Sequence, residues 1–126
     1  MIEGVNKVVI EVGDQDRALD FWTTTMGFSV VEDTPYDGER WLEVCPPDRG
    51  IVLVLSVRHA EAPAPRDPLP TSNVFFYCDD LPATYRELRA RGVSFPQPPV
   101  ALSFGWWSMF ADSEGNRFAL RPRDAV

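Results

Sequence analysis

The sequence predicts an α+β fold: two tandem βαβββ modules forming a curved mixed-sheet cup, with helices on the outer face. Three observations carry this. The chain repeats itself at a nearly constant spacing. Each half alternates β-type runs with one helical period. The composition is that of an ordinary globular chain, with 44% apolar, 25% charged and 12% aromatic residues in a total of 126. On this reading 1–126 is a single domain. Module 1 covers about 5–59, a linker about 60–72, and module 2 about 73–122.

The repeat is visible when segments are laid over one another. Lys7 to Trp22 (KVVIEVGDQDRALDFW) lies over Asn73 to Leu88 (NVFFYCDDLPATYREL), an offset of 66. Gly27 then lies over Gly92 at an offset of 65. The same offset sets Trp41 over Trp106, Gly50 over Gly115, Leu53 over Phe118 and Leu55 over Leu120.

Each element has its own signal. Strand one, about 5–12, is a run of Val and Ile. Asp14 caps a helix whose apolar residues Ala18, Phe21, Trp22 and Thr25 recur at helical spacing, and Gly27 ends it. Strand two is about 28–33, and Pro35–Gly38 is a turn. Strand three is about 40–45; the turn Pro46–Gly50 leads into strand four, about 51–57. Ala60–Ser72 holds four prolines in thirteen residues and reads as an extended linker. The second helix, about 82–91, has Asp80 as its cap, Pro82 in the first turn, and an apolar stripe of Leu81, Tyr85 and Leu88.

Strand alternation sorts the faces. Val8, Ile10 and Val12 suit a core beneath a helix, which leaves Lys7, Val9 and Glu11 on the other side. Trp41, Glu43 and Cys45 share that open side, as do Asn73, Phe75 and Tyr77. The repeat adds Trp106, Ser108 and Phe110. An apolar concavity with a few polar groups is the usual form of a small-ligand site. The expected ligand-binding set is therefore Lys7, Trp41, Glu43, Asn73, Phe75, Tyr77, Trp106 and Phe110.

Charge and composition exclude other classes. With 12 basic and 19 acidic residues the net charge is −7, which disfavours a nucleic acid partner. No apolar run approaches the length of a membrane span, and MIEGVNKVVIEV lacks the layout of a signal peptide. A cytoplasmic location is expected. Two cysteines, Cys45 and Cys78, are too few for a zinc ribbon or a CxxC redox site. The single His59 cannot support a Ser-His-Asp triad, and no residue is assigned a catalytic role.

Three phrases resemble one known superfamily, the vicinal oxygen chelate proteins, which include glyoxalase I, bleomycin-resistance proteins and extradiol dioxygenases. The phrase Gly13 to Phe28 (GDQDRALDFWTTTMGF) is similar to the first-helix signature of that group. Asp80 to Val93 looks like its second helix. Phe110 to Leu120 (FADSEGNRFAL) resembles its closing Asp-Pro-x-Gly-Asn hairpin, with Ser113 where Pro is usual. The resemblance implies the paired βαβββ fold and, commonly, a homodimer. In metal-dependent members it implies a divalent ion at cavity positions that here fall on Lys7, Val54, Asn73 and Ala119. Val and Ala offer no donor and Lys is a cation, so no metal and no cofactor are expected.

The expected function is a metal-independent small-molecule-binding protein holding an amphipathic or aromatic ligand. Two alternatives stay open: an enzyme of the superfamily (lyase, isomerase or dioxygenase) with an atypical or metal-free site, and a structural or partner-binding subunit.

Overall fold

The computed structural model describes residues 1–57 and 74–123. The predicted 60–72 linker, His59 and Asn73 lie outside the described residues. The chain divides into two compact units, Met1–Pro63 and Ala64–Val126.

The first unit runs β1 (Lys7–Val12), α1 (Gln15–Asp20), β2 (Ser29–Tyr36), β3 (Glu39–Cys45) and β4 (Val52–Val57). Its four strands form one sheet in the order β1-β4-β3-β2. β1 and β4 are parallel, and the other pairs are antiparallel. The second unit repeats this with β5 (Phe75–Cys78), α2 (Leu81–Ala90), β6 (Ser94–Leu102), β7 (Gly105–Ala111) and β8 (Arg117–Pro122). Its sheet order is β5-β8-β7-β6, with β5 and β8 parallel. The tandem βαβββ architecture read from the sequence is thus present, as two mixed sheets in an α+β fold.

The helix starts follow from their caps. The Asp14 carboxylate accepts the Arg17 N–H at 3.0 Å, and Asp80 accepts the Ala83 N–H at 3.0 Å. α1 does not stop where its α-type bonds do. It continues into a π-helical segment, Phe21–Thr25, closed by the Met26 N–H on the Phe21 carbonyl at 3.0 Å. Thr23 donates its hydroxyl back to the Leu19 carbonyl at 2.7 Å, a bond that bends helices. The widened turn seats Trp22, wholly buried, against Phe21 and Phe28 with ring centroids 5.3 and 5.1 Å away. Gly27, at φ 82°, then ends the segment.

Beneath α1 lie Ile10, Val12, Leu42, Val44, Leu53 and Leu55, all buried. In the second unit Phe76, Phe95, Phe110 and Phe118 form a ring cluster with centroid separations of 5.5 to 6.3 Å. Tyr85 of α2 joins it, packing edge-on against Phe95 at 4.8 Å. These helix-facing layers are the cores. The opposite face of each sheet is open in the sense that its own unit's helix does not cover it, yet it still buries Glu43, Val54, Met109 and Ala119 at its centre.

One strand is longer than the sequence suggests. β2 runs on to Tyr36, and only Asp37 and Gly38, at φ 49° and 78°, make the turn into β3. Two successive positive φ values define the hairpin turn that matches strand twist, and Asp-Gly is a preferred pair for it.

The closing hairpin of unit 2 is held by Asp112. Its carboxylate accepts the N–H groups of Glu114 and Asn116 at 2.9 and 2.8 Å, and the Asn116 side-chain amide at 3.0 Å. The Gly115 N–H returns to the Asp112 carbonyl at 3.2 Å, so Ser113 occupies the second position of a β-turn. Its hydroxyl is buried without a hydrogen-bond partner among the described residues. Proline is favoured at that position and would delete the orphaned hydroxyl. Ser113→Pro is expected to stabilise the chain by roughly 0.5–1 kcal/mol and to raise the thermal midpoint by a few degrees. A lowered midpoint in a calorimetric scan would show that the backbone at 113 rejects the ring.

Candidate functional site

The open face of sheet one is built by register. Val9 pairs with Val54, Val54 with Glu43, and Glu43 with Glu32. Paired residues share a face, so these four form a row across the sheet. Alternation adds Lys7 on β1, Trp41 on β3, and Thr34 and Tyr36 on β2. Lys7, Glu32, Thr34, Tyr36, Trp41 and Glu43 line an open pocket of about 480 Å³.

Its centre is the Glu43 carboxylate, on a residue only 4% exposed. Oε2 accepts a bond from the Lys7 ammonium and another from the Trp41 indole N–H at 2.7 Å. Lys7 also sits over the Trp41 ring, 5.7 Å from its centroid. Tyr36 flanks the same indole at 5.8 Å, tilted by 60°. Burial tends to raise the carboxyl of Glu43, but the Lys7 and Trp41 hydrogen bonds and the Lys7 charge outweigh it, so Glu43 lies below its ordinary value.

Three of the expected ligand-binding residues, Lys7, Trp41 and Glu43, thus come together. Phe75 and Tyr77 stand on the open face of sheet two, 60% and 46% exposed, with the Arg123 guanidinium 4.0 Å from the Tyr77 ring centroid. Asn73 lies outside the described residues.

Phe110 and Trp106 require correction. Phe110 is fully buried in the ring cluster on the helix side, paired with Phe118. Trp106, half-exposed, lies on the same alternation as Phe110, away from the open face. The cause is a one-residue difference between the halves. Glu43 pairs with Val54, and Met109 pairs with Ala119, so the first β3–β4 connection is one residue longer than its counterpart. An ungapped offset of 65 across this hairpin flips the faces of β7. Trp107 is the true partner of Trp41; the adjacent Trp106 made the wrong register look right.

Glu32, Thr34 and Tyr36 were not anticipated. The available signal for Thr34 and Tyr36 was the Asp37-Gly38 pair, which extends β2 to Tyr36; Glu32 lay in the expected strand two, and its face is set by the register shift between Val30 and Glu32.

With this geometry in hand, known proteins are informative. The family model for the Glyoxalase/Bleomycin resistance protein/Dioxygenase superfamily matches residues 4–120. The chain belongs to this superfamily. Within it, the uncharacterized protein YetH of Bacillus subtilis (strain 168) is 32% identical over 122 residues, covering 96% of this chain and 99% of YetH. A superfamily member from Sphaerobacter thermophilus DSM 20745 superposes with a TM-score of 0.82 at 32% identity, over 94% of this chain and 96% of that one. TnmS3, an antibiotic binding protein from Streptomyces sp. CB03234, superposes with a TM-score of 0.81 at 32% identity, over 96% and 97%.

The metal positions that the superfamily implies are chemically unsuited here. Val54 and Ala119 supply no donor atom, and the Lys7 ammonium is bonded to Glu43. Among the described residues no group of three or more His, Cys, Asp or Glu is placed to hold an ion. Both cysteines are free thiols; Cys45 is buried, and burial pushes the Cys78 thiol up. No described helix is long and apolar enough to cross a membrane.

The depressed Glu43 fixes the sign of a pH effect. A carboxylate lowered in the fold stabilises it above its unfolded value, ordinarily 4.5, and that stability is lost as pH falls through the lower folded value. Glu43→Gln should therefore melt below the unaltered protein at pH 7, with the gap shrinking as the pH drops under 4.5. A gap that stays constant across a pH series of melting curves would show that the carboxylate charge contributes nothing.

Proposed function

We propose that the chain is a metal-independent small-molecule-binding protein that holds an aromatic or amphipathic ligand in the pocket around Trp41. It acts as a cytoplasmic homodimer. The observation that carries this reading is the fixed indole. A buried carboxylate holds the Trp41 N–H, Lys7 and Tyr36 flank the ring, and the remaining pocket space is open to solvent. Such a surface is set before a ligand arrives, which limits the ordering cost of binding. Similarity to TnmS3, named as an antibiotic binding protein, supports the same reading. Lys7 and Glu43 would orient the guest, and Phe75 and Tyr77 present a second aromatic surface on the other unit. The donor chemistry at Val54 and Ala119 supports the absence of a metal step.

The apolar residues exposed on the described sheets, including Val9 and Phe75, give a physical motive for self-association. Light scattering at micromolar concentration should return twice the 14.2 kDa chain mass; a monomer mass would remove the dimer.

A thermal-shift screen of aromatic natural products tests the binding role, since a ligand that binds the fold raises its melting point. Trp41→Ala should weaken any hit several-fold, roughly 1 kcal/mol for a lost stacking partner. Equal affinity in the variant would place the ligand elsewhere.

A further inference from the structure

The pocket holds two carboxylates and one ammonium. Glu32 and Glu43 are direct cross-strand partners on its face, an arrangement that like charges disfavour. Lys7 and the Trp41 N–H both bind Oε2 of Glu43, and its Oε1 takes no hydrogen bond from a described residue. Among the described residues Glu32 receives only the Thr34 hydroxyl, at 3.4 Å, and forms no ion pair. The fold itself does not require these acids. In the second unit the same two pairing positions are held by Gln97 and Met109, both uncharged.

We propose that a ligand ammonium completes this site, so that the guest carries an aromatic ring bearing an alkylamine protonated at neutral pH. Its ring lies against Trp41 and Tyr36, and its protonated nitrogen sits between Glu32 and Oε1 of Glu43. The proposal rests on the reading of this pocket as an aromatic-ligand site. A divalent ion is a poor occupant, because the Lys7 ammonium stands beside the two carboxylates and repels it. An anionic guest meets a lysine already engaged and an excess of negative charge.

Three naphthalene probes of similar shape separate the possibilities: 1-naphthylmethylamine, 1-naphthylmethanol and the carboxylate 1-naphthaleneacetate. Binding is read at pH 7 and low salt from the Trp41 indole N–H resonance, assigned with Trp41→Phe. The amine should bind at least tenfold more tightly than the acetate, with the alcohol between. Glu32→Gln should cut that preference to a few-fold, chiefly by weakening amine binding. Added salt should narrow the preference in the unaltered protein. Glu32 is exposed, and the amide spectrum of the variant reports its folding directly.

Equal affinity for all three probes, or tighter acetate binding, overturns the cation site and leaves the aromatic pocket standing. A preference that survives in Glu32→Gln overturns the role given to Glu32. If no probe moves the Trp41 resonance, the pocket reading itself fails, and the cation site falls with it.

Discussion

A carboxylate taken out of water must be bonded or it destabilises the fold by several kcal/mol. Glu43 imposes that condition on the first unit. It sits in mid-strand on β3, and its paired neighbour on β4 is Val54, which has no polar group to offer. The compensation comes from the side, through Lys7 on β1 and Trp41 two residues back along β3. Satisfying one buried oxygen therefore fixes a lysine that would otherwise be mobile and sets the plane of an indole. The shape and charge of the pocket follow from that. Its width is then a matter of where β2 places Tyr36, since that ring flanks the same indole.

The two halves share a scaffold but not a chemistry. Both place a parallel strand pair at one edge of the sheet, a capped helix on one face and a hairpin at the other edge. Position for position, Glu43 answers to Met109, Glu32 to Gln97 and Trp41 to Trp107. The aromatic is kept and the charges are gone. What remains common lies in the helix-facing layers, where Leu53 and Leu55 answer to Phe118 and Leu120, all buried. Backbone pairing and core burial thus tolerate either set of open-face residues.

The fold was legible in the sequence because its signals are local and repeated. Asp14 and Asp80 each precede a helical period, and both proved to be caps. Val8, Ile10 and Val12 alternate with Lys7, Val9 and Glu11, and that face assignment stands. Lys7, Trp41 and Glu43 could be grouped because β1 and β3 carry clear alternation. The site was less legible where register depends on a loop. The extra residue between β3 and β4 changes no local pattern, yet it moves Phe110 from an open face into a core. A Trp-Trp pair hides such a slip, since either residue satisfies the alignment. Glu32 follows a bulge that the sequence does not signal, and Thr34 and Tyr36 were missed for a different reason. Pro35 reads as a turn residue, but β2 is an edge strand, where a missing N–H is tolerated.

The wall that carries Tyr36 is anchored on the other side of the sheet. Arg40 binds both carboxylate oxygens of Asp33 across the β2–β3 hairpin, at 2.8 and 2.9 Å, and reaches Asp16 of α1 at 2.6 Å. Gln15 adds bonds to the carbonyls of Arg40 and Leu55 at 3.0 and 2.8 Å. None of these groups lines the pocket, yet together they clasp the hairpin to the start of the helix. The clasp works like a hinge pin. Substitutions on the outer surface, or enough salt to screen the half-buried arginine, would let the hairpin swing and change the width of the pocket. Pocket shape is thereby separated from pocket chemistry: residues outside the pocket can widen or narrow it while those that line it stay the same.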